Sequence, residues 1–314
     1  MSKRKTADKL AAKPTIAVIG AGRLGTALAR ALAARSYTIT AMVTRRLRNA
    51  QRSVARAGAH SAQSLSSTKL DLLPPTDLIF ITTPDDAIAD TAARLAQLGD
   101  FHPNKQPVAL HMSGALSSEE LAPLRKLRFA VGSMHPLVSV SDPVIGAGSL
   151  RGAFYCVEGD RRAMNAARNI VRELEGEIFM INAADKPLYH AAAVLTSGHT
   201  VALFDLAIEL LARCGLSESK ARRVLLPLLR STLENLSVKE PARALTGTFA
   251  RADAATVRRH LTALAKQRTM PDAIKVYTLL GKHSLRLAAR TGANKEAVRE
   301  VERLLDKLKE QDKS

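Results

Sequence analysis

The sequence is poor in two chemically informative residue types. It contains no tryptophan and only two cysteines, Cys156 and Cys214, which lie far apart and outside any CxxC or metal-type spacing. Two isolated cysteines exclude a disulfide framework and argue against zinc, so we expect no bound metal. We interpret both as buried thiols of a protein in a reducing compartment.

An apolar leader is also lacking. Residues 1–13 are polar, carry several lysines and contain no apolar stretch of the kind that a signal peptide needs. This composition predicts a disordered tail. Together with the cysteine pattern, it predicts a cytoplasmic location.

Acidic residues are scarce relative to basic ones. The 29 Asp and Glu stand against 47 Lys and Arg, which gives a formal net charge of +18. Such an excess can indicate a nucleic-acid partner, but the basic residues are spread over many predicted helices. Only 4% of residues are aromatic, so there is no basic stripe with interleaved stacking side chains. We expect no specific nucleic-acid partner.

A glycine-rich turn stands near the start of the chain. The apolar run Thr15 to Ile19 leads into Gly-x-Gly-x-x-Gly, and an alanine-rich helical pattern continues to about Arg35. Strand, tight turn and helix in this order predict a dinucleotide site, with the pyrophosphate at the positive helix N-terminus. The predicted cofactor-binding residues of this loop are Gly20, Gly22, Arg23, Leu24 and Gly25.

No acidic residue follows the second predicted strand, Thr38 to Val43. An NAD site places Asp or Glu about 20 residues past the glycines, where the carboxylate binds the ribose hydroxyls. Here the strand ends in Thr44, Arg45 and Arg46. A hydroxyl followed by arginines suits the 2′-phosphate of NADP, because a guanidinium binds phosphate through charge-assisted bidentate bonds. The alternative is a solvated helix start. We predict NADP, with Thr44 and Arg45 as ligands.

The continuous apolar run Leu78 to Ile81 is typical of a strand inside a parallel sheet that is covered on both faces. Ligands bind at the carboxyl ends of such strands. We therefore predict that the residues directly after this strand, Thr82, Thr83 and Pro84, line the nicotinamide site. We expect Asp85 or Asp86 to cap the next helix.

Two further predicted strands end in histidine and serine. Pro107 to Leu110 leads into His111 and Ser113, and Phe129 to Val131 leads into Ser133 and His135. These side chains should converge on one edge of the sheet, beside the cofactor. A single histidine in such a place is more often a structural hydrogen-bonding group.

The character of the chain changes after Asn182. Five helical patterns follow, over Leu188 to Ala212, Ser217 to Leu236, Ala254 to Lys266, Asp272 to Arg290 and Lys295 to about Leu308. Ser217 and Asp253 are expected N-caps, and Gly215 an expected C-terminal stop. We predict an α/β protein in which a Rossmann-like doubly wound parallel sheet, residues 14–184, precedes an all-α C-terminal domain for substrate binding and dimerisation, residues 185–314.

The first of these helices is apolar enough to resemble a membrane span. It contains His190, His199, Asp205 and Glu209, which are costly in lipid, so we expect no membrane partner. Its apolar residues lie around most of its circumference, which predicts a buried central helix or the interface of an intertwined homodimer.

In combination, several motifs resemble a family of oxidoreductases provisionally assigned to NADP, which join a Rossmann-like domain to a C-terminal helical domain of unknown function. The match runs from about Pro14 to Lys266. Its wider superfamily includes 6-phosphogluconate dehydrogenase and pyrroline-5-carboxylate reductase. Besides the glycine loop and the Thr44-Arg45 strand end, the residues that carry the resemblance are Leu110 to Ser117, Met134 to Leu137, Leu188 to Val194 and Ala244 to Gly247.

The resemblance implies an oxidoreductase that transfers a hydride between NADPH and a small substrate. Ser197 and Gly198 are similar to the reductase pattern that holds a substrate carboxylate at a dimer interface. Val194 stands where hydroxyacid dehydrogenases of the superfamily would carry a catalytic lysine, which argues against that chemistry. The substrate is therefore expected to be a carboxylate-bearing imine or carbonyl compound. The alternative is an NADP(H)-binding redox sensor or interaction module without turnover.

A reductase gains rate from a proton donor near the developing charge, and histidine suits this role near neutral pH. We rank His190 first and His135 second, with Ser113 as a further candidate. His111, Lys186, Ser197 and Gly198 are the expected substrate contacts, with Lys186 as an anion-binding charge one helical turn from His190.

Overall fold

The computed structural model describes residues 13–99, 106–267 and 269–311, with side chains of the last helix described as far as residue 306. Residues 1–12 of the predicted tail lie outside the described residues. The structure falls into two compact units, residues 1–198 and residues 199–314, which we call the first and second unit.

The first unit is built on an eight-stranded sheet with the order β3-β2-β1-β4-β5-β6-β7-β8. Neighbouring strands are parallel except for β6 and β7, which pair antiparallel. The sheet is thus mostly parallel, as predicted, but with one reversed step. The strands are β1 Ile16–Ile19, β2 Ile39–Thr44, β3 Gln63–Ser66, β4 Leu78–Ile81, β5 Val108–His111, β6 Ala130–Pro136, β7 Phe154–Gly159 and β8 Glu177–Phe179.

Helices cover both faces of this sheet. All four residues of β1 and all four of β4 are buried, which explains why their sequences are continuously apolar rather than alternating. Val18 and Phe80 pack into the core on one face, and Ile19 and Ile81 into the core on the other. The helices of this unit are α1 Arg23–Ala33, α2 Leu47–Ala57, α3 Ile88–Ala96, α4 Pro143–Ser149, α5 Arg161–Glu173 and α6 Lys186–Thr196, with short 3-10 segments between them.

Helix α6 belongs to the first unit, although the sequence places it at the start of the helical domain. Its first residue, Lys186, is fully buried and donates a hydrogen bond to the Ser113 carbonyl oxygen after β5. A division of the chain into domains at residue 184 remains a prediction.

The second unit is helical. The predicted caps Ser217 and Asp253 accept hydrogen bonds from the backbone N–H groups of Lys220 and Thr256, and Gly215 has a φ of +90° just after α7. A core forms where α11, α12 and α13 meet, around Val257, Leu285 and Val301. The helices are α7 Gly198–Arg213, α8 Glu218–Val238, α9 Pro241–Ala244, α10 Gly247–Ala250, α11 Ala254–Ala265, α12 Pro271–Arg290 and α13 Lys295–Gln311.

The helix predicted over Leu188 to Ala212 is instead two helices, because α6 ends at Thr196 and α7 begins at Gly198, with Ser197 between them. Among the described residues, the run Ala183–Arg213 is the one helical segment long and apolar enough to cross a membrane, and its most apolar stretch is exposed. No residue of α7 is buried, so the expectation of a buried central helix is wrong for the single chain.

The two cysteines differ in exposure. Cys156 is buried in β7, as predicted. Cys214 follows α7 at the surface and is exposed, which corrects the prediction of two buried thiols. Among the described residues no group of three or more His, Cys, Asp or Glu side chains could hold a metal ion.

Candidate cofactor and catalytic site

The glycine-rich turn packs directly against the end of β4. Gly20 has a φ of +91°, and a Cβ at this position would lie 2.4 Å from the Thr83 backbone nitrogen. A Cβ on Gly25 would lie 2.3 Å from Thr82 Oγ1. Only glycine fits these two places, and the resulting turn brings the N-terminus of α1 to the carboxyl end of the sheet.

A cavity of about 950 Å³ opens at this edge, where the strand order reverses between β1 and β4. Most of the predicted cofactor residues line it: Gly20, Gly22, Arg23, Thr44, Arg45, Thr82, Thr83 and Pro84. Leu24 and Gly25 do not, because the Leu24 side chain packs against the core and Gly25 packs against Thr82 Oγ1 and Val18. Five arginines line the cavity, namely Arg23, Arg45, Arg52, Arg56 and Arg94, against the two carboxylates of Asp86 and Asp90.

The polar groups of the cavity differ in what they already bind. Thr82 Oγ1 donates to the Gly20 carbonyl oxygen at 2.8 Å, and Thr44 Oγ1 donates to that of Arg46 at 2.7 Å. Thr83 Oγ1, in contrast, is buried without a hydrogen-bond partner. Within the described residues, no hydrogen bond or ion pair is found for the Arg45 or Arg52 guanidinium. These groups are available to a ligand.

Asp85 links the cavity to the next strand. It was expected to cap a helix, but neither α3 nor the 3-10 segment before it has a side-chain cap. Instead, Ser113 Oγ donates to Asp85 Oδ2 at 2.8 Å. The same hydroxyl accepts from the backbone N–H groups of Ala115 and Leu116. The Ser113 hydroxyl is therefore fully used in holding two loops together.

His111 is completely buried at the end of β5. Its Nδ1 accepts the Ser113 N–H at 3.2 Å, and its Nε2–H donates to the Ser117 carbonyl oxygen at 2.9 Å. Burial, reinforced by the nearby Lys186 charge, lowers the pKa of His111 to about 4. The ring is neutral, and both of its nitrogens are already hydrogen-bonded. The substrate contact that the sequence predicted for His111 is therefore not available in this structure.

Lys186 is also completely buried, which corrects its predicted role as an anion-binding charge. Its ammonium donates to the Ser113 carbonyl oxygen at 3.2 Å and to the Ser133 hydroxyl, and it lies 3.5 Å from Glu158 Oε1. Burial lowers the pKa of Lys186, and the Glu158 carboxylate opposes that shift. The lysine thus ties α6 to β5, β6 and β7.

Glu158 is a site residue that sequence reasoning missed. It directly follows the apolar residues of β7, within the strand, and its carboxylate also accepts two hydrogen bonds from Ser118, at 2.7 and 2.8 Å. A carboxylate inside an apolar strand is the signal that could have identified it.

His135 and His190, the two histidines ranked first from the sequence, lie next to each other. Their ring centroids are 5.4 Å apart with an interplanar angle of 84°. Both rings close on Gly114, since a Cβ there would lie 2.4 Å from His190 Nδ1 and 2.9 Å from His135 Nε2. His190 Nδ1 is buried without a hydrogen-bond partner. The pKa of His135 is lowered to about 4, mainly by burial and to a smaller extent by the neighbouring His190.

Tyr189 completes this cluster and was also missed. Its hydroxyl lies 2.6 Å from His135 Nδ1. Burial raises the pKa of the phenol above its usual range. The remaining predicted contacts, Ser197 and Gly198, are exposed at the break between α6 and α7, about two helical turns beyond His190.

The comparisons with known proteins confirm the resemblance predicted from the sequence. Residues 1–136 match the Rossmann-like domain family, and residues 153–284 match a domain of unknown function, DUF2520. The two family models match different parts of the chain and together cover most of it. No curated protein matches it.

Solved structures share the fold over most of the chain. A protein from Bacteroides fragilis, provisionally named an NADP oxidoreductase, is 22% identical with a TM-score of 0.69, and the alignment covers 87% of this chain and 98% of that one. A 1-pyrroline-5-carboxylate reductase from Streptococcus pyogenes is 13% identical, with a TM-score of 0.56 and coverages of 87% and 98%. A pyrroline carboxylate reductase from Plasmodium falciparum, solved with NADP bound, is 12% identical, with a TM-score of 0.53 and coverages of 88% and 98%.

Proposed function

We propose that this protein is an NADP(H)-dependent oxidoreductase that acts on a small, carboxylate-bearing imine or carbonyl compound. The observation that carries the proposal is one continuous path of contacts. It leads from the arginine-lined cavity through Pro84 and Asp85 to Ser113, and from Gly114 to the histidine pair. A cofactor in the cavity would therefore have proton-carrying side chains beside one end.

The cavity fits a dinucleotide with a 2′-phosphate. Thr83 Oγ1 is an unpartnered buried hydroxyl on its wall, suited to an amide group of the ligand. Arg45 at the end of β2 and Arg52 on α2 offer free guanidinium groups where an NAD site would place a carboxylate. When bound, the cofactor supplies the hydride.

The protein's part is to place the substrate and hold a proton near it. His190 and His135 are the proposed proton carriers, with His190 ranked first, because their rings are polar groups of the cluster with part of their surface exposed. Ser113, His111 and Lys186 hold the surrounding loops and α6 in place through the bonds described above. Ser197 and Gly198 remain proposed contacts of the substrate carboxylate.

The substrate class rests on resemblance and on chemistry. The pyrroline carboxylate reductases that share the fold are named for a carboxylate-bearing compound. A cytoplasmic homodimer without nucleic-acid or membrane partners remains our prediction for the assembly.

The cofactor assignment is tested by measuring the dissociation constants of NADPH and NADH by titration calorimetry. NADPH should bind at least about tenfold more tightly, because the 2′-phosphate gains charge-assisted bonds to arginine. Arg45→Ala should remove most of that difference. Arg48→Ala is the matched control, since it removes the same charge from the exposed start of α2 outside the cavity. Equal affinity for both cofactors in the unchanged protein contradicts the assignment.

Activity is tested by following NADPH oxidation with a panel of cyclic imines, 2-oxo acids and aldehydes. Turnover that requires a substrate carboxylate supports the proposal. Tight NADPH binding with no turnover on the whole panel would instead favour a redox sensor or interaction module.

A further inference from the structure

The Tyr189 hydroxyl is hydrogen-bonded to His135. The phenol oxygen lies 2.6 Å from Nδ1, and the two rings meet edge to face with centroids 5.6 Å apart. Phe179 also packs against the tyrosine, with ring centroids 5.7 Å apart. Tyr189 also follows Lys186 by one turn of α6, and that lysine is anchored in the buried network. The phenol is therefore held in one position against the imidazole.

The direction of this hydrogen bond follows from the charge states of both partners. The pKa of His135 is lowered to about 4 by burial, so its ring is neutral at pH 7 and carries one N–H. The pKa of Tyr189 is raised by burial, so the phenol keeps its proton. If His135 Nδ1 carried the hydrogen, the Tyr189 O–H would need another acceptor, and the described residues provide none. The bond is satisfied when the phenol donates to Nδ1.

We propose that Tyr189 is a positioning residue whose O–H fixes His135 in the tautomer that carries its proton on Nε2. This inference rests on the proposed function in assigning His135 to the reaction. Its structural content, the choice of tautomer, is independent of any cofactor or substrate.

The tautomer decides what His135 presents to its neighbours. Nε2 lies on the side of Gly114, where His190 Nδ1 also lies, and both nitrogens are within 3 Å of the point that a Gly114 Cβ would occupy. With Tyr189 donating to Nδ1, His135 presents a hydrogen-bond donor on this side. In the other tautomer it would present an acceptor. A reductase needs the donor, because negative charge develops on the substrate nitrogen or oxygen.

The tautomer is measured by NMR on protein labelled with ¹⁵N at its eight histidines. The His135 signals are identified by their loss in His135→Asn. In the unchanged protein we expect the proton on Nε2. In Tyr189→Phe, which keeps the packed ring and removes only the O–H, we expect a mixture of both tautomers. The pKa of His135 should also rise, because the lost bond favoured the neutral ring.

The chain contains a matched control. Tyr277 and His260 in the second unit form the same arrangement, with 2.7 Å between the hydroxyl and Nδ1 and ring centroids 5.7 Å apart. Tyr277→Phe should leave the His135 signals and turnover unchanged. Tyr189→Phe should lower kcat about three- to tenfold with NADPH affinity unchanged, because the productive tautomer is no longer the only one populated.

A proton on Nδ1 in the unchanged protein overturns the proposal, and so does a Tyr189→Phe protein that keeps a single Nε2–H tautomer. A change of tautomer without any change in kcat removes its functional part. If the unchanged protein reduces no substrate, the proposed function fails, while the NMR result still decides the tautomer.

Discussion

His190 and His135 reach each other from different elements. His135 lies near the end of β6 and His190 on α6, and the absence of a side chain on Gly114 lets both rings approach. The sequence shows the two histidines and a Ser-Gly pair, but it does not show that they lie in contact. Residues that pack together can be far apart in the chain, as His135 and Tyr189 are, with a separation of 54 positions. The chemistry of single residues was predictable, and their pairing was not.

Replacing either histidine by glutamine tests the proton-transfer role. We expect His190→Gln and His135→Gln each to lower turnover about 10²-fold or more, because the glutamine amide can donate a hydrogen bond but does not give up its proton to a substrate. NADPH affinity should be unchanged, since neither residue lines the cofactor cavity. His60→Gln, at an exposed position, is the control. Unchanged turnover in both variants would leave an ordered water as the donor, because the Ser113 hydroxyl already donates to Asp85.

At the scale of elements, the ends of β5 and β6 carry two neutral histidines, one fully and one partly buried. His111 and His135 both have a pKa of about 4 in the folded protein, against 6.5 for an unperturbed histidine. Between these values the unfolded chain binds more protons than the folded one, so stability falls as pH falls. The loss begins near pH 6.5 and is complete near pH 4. It amounts to about 2 kcal/mol for each histidine by about pH 5.

Urea unfolding at about pH 7 and about pH 5 measures this loss, because most carboxylates stay ionised in that range. His111→Asn should roughly halve the pH dependence, since asparagine does not titrate, even if it lowers stability at both pH values. His60→Asn at the surface should leave the dependence as it is. A His111→Asn protein with the full pH dependence would show that this histidine does not contribute.

The strands that could be predicted are those with the simplest physical signature. Ile16–Ile19 and Leu78–Ile81 are continuously apolar because both sheet faces are covered, and the sequence predicts both. Gln63–Ser66 has no such signature, because it is a short polar strand at the edge of the sheet. The reversed direction of β7 depends on pairing with β6, which no local pattern encodes.

The buried ion pair between Lys186 and Glu158 could not be predicted from a local sequence pattern either. Lys186 looked like a free charge at the start of a helix, but it is fully buried and lies 3.5 Å from Glu158. A buried lysine is expected only when a carboxylate accompanies it, and the sequence does not show which carboxylate that is. Because Glu158 was not recognised as its partner, Lys186 was predicted to contact the substrate, whereas in the structure it anchors α6.

At the scale of the whole molecule, the net charge and the exposed apolar surface have opposite effects on the association of two copies. The net charge of +18 opposes close association of two copies at low salt. The helices α7 and α8 nevertheless expose large apolar side chains: Val201 is 69% exposed, Leu228 65% and Val238 77%. A soluble protein rarely leaves such a surface uncovered, so short-range burial of apolar area should outweigh the screened repulsion.

We therefore predict a homodimer in which a second copy covers the apolar surface of α7 and α8. Light scattering at micromolar concentration should give twice the chain mass of 33.8 kDa. Leu228→Glu should shift the protein toward the monomer, because a carboxylate buried in an apolar interface has no partner. Ile145→Glu is the matched control, since Ile145 is 78% exposed on α4 of the first unit, away from these helices in the chain. A monomeric mass for the unchanged protein, or equal dissociation in both variants, would contradict this interface.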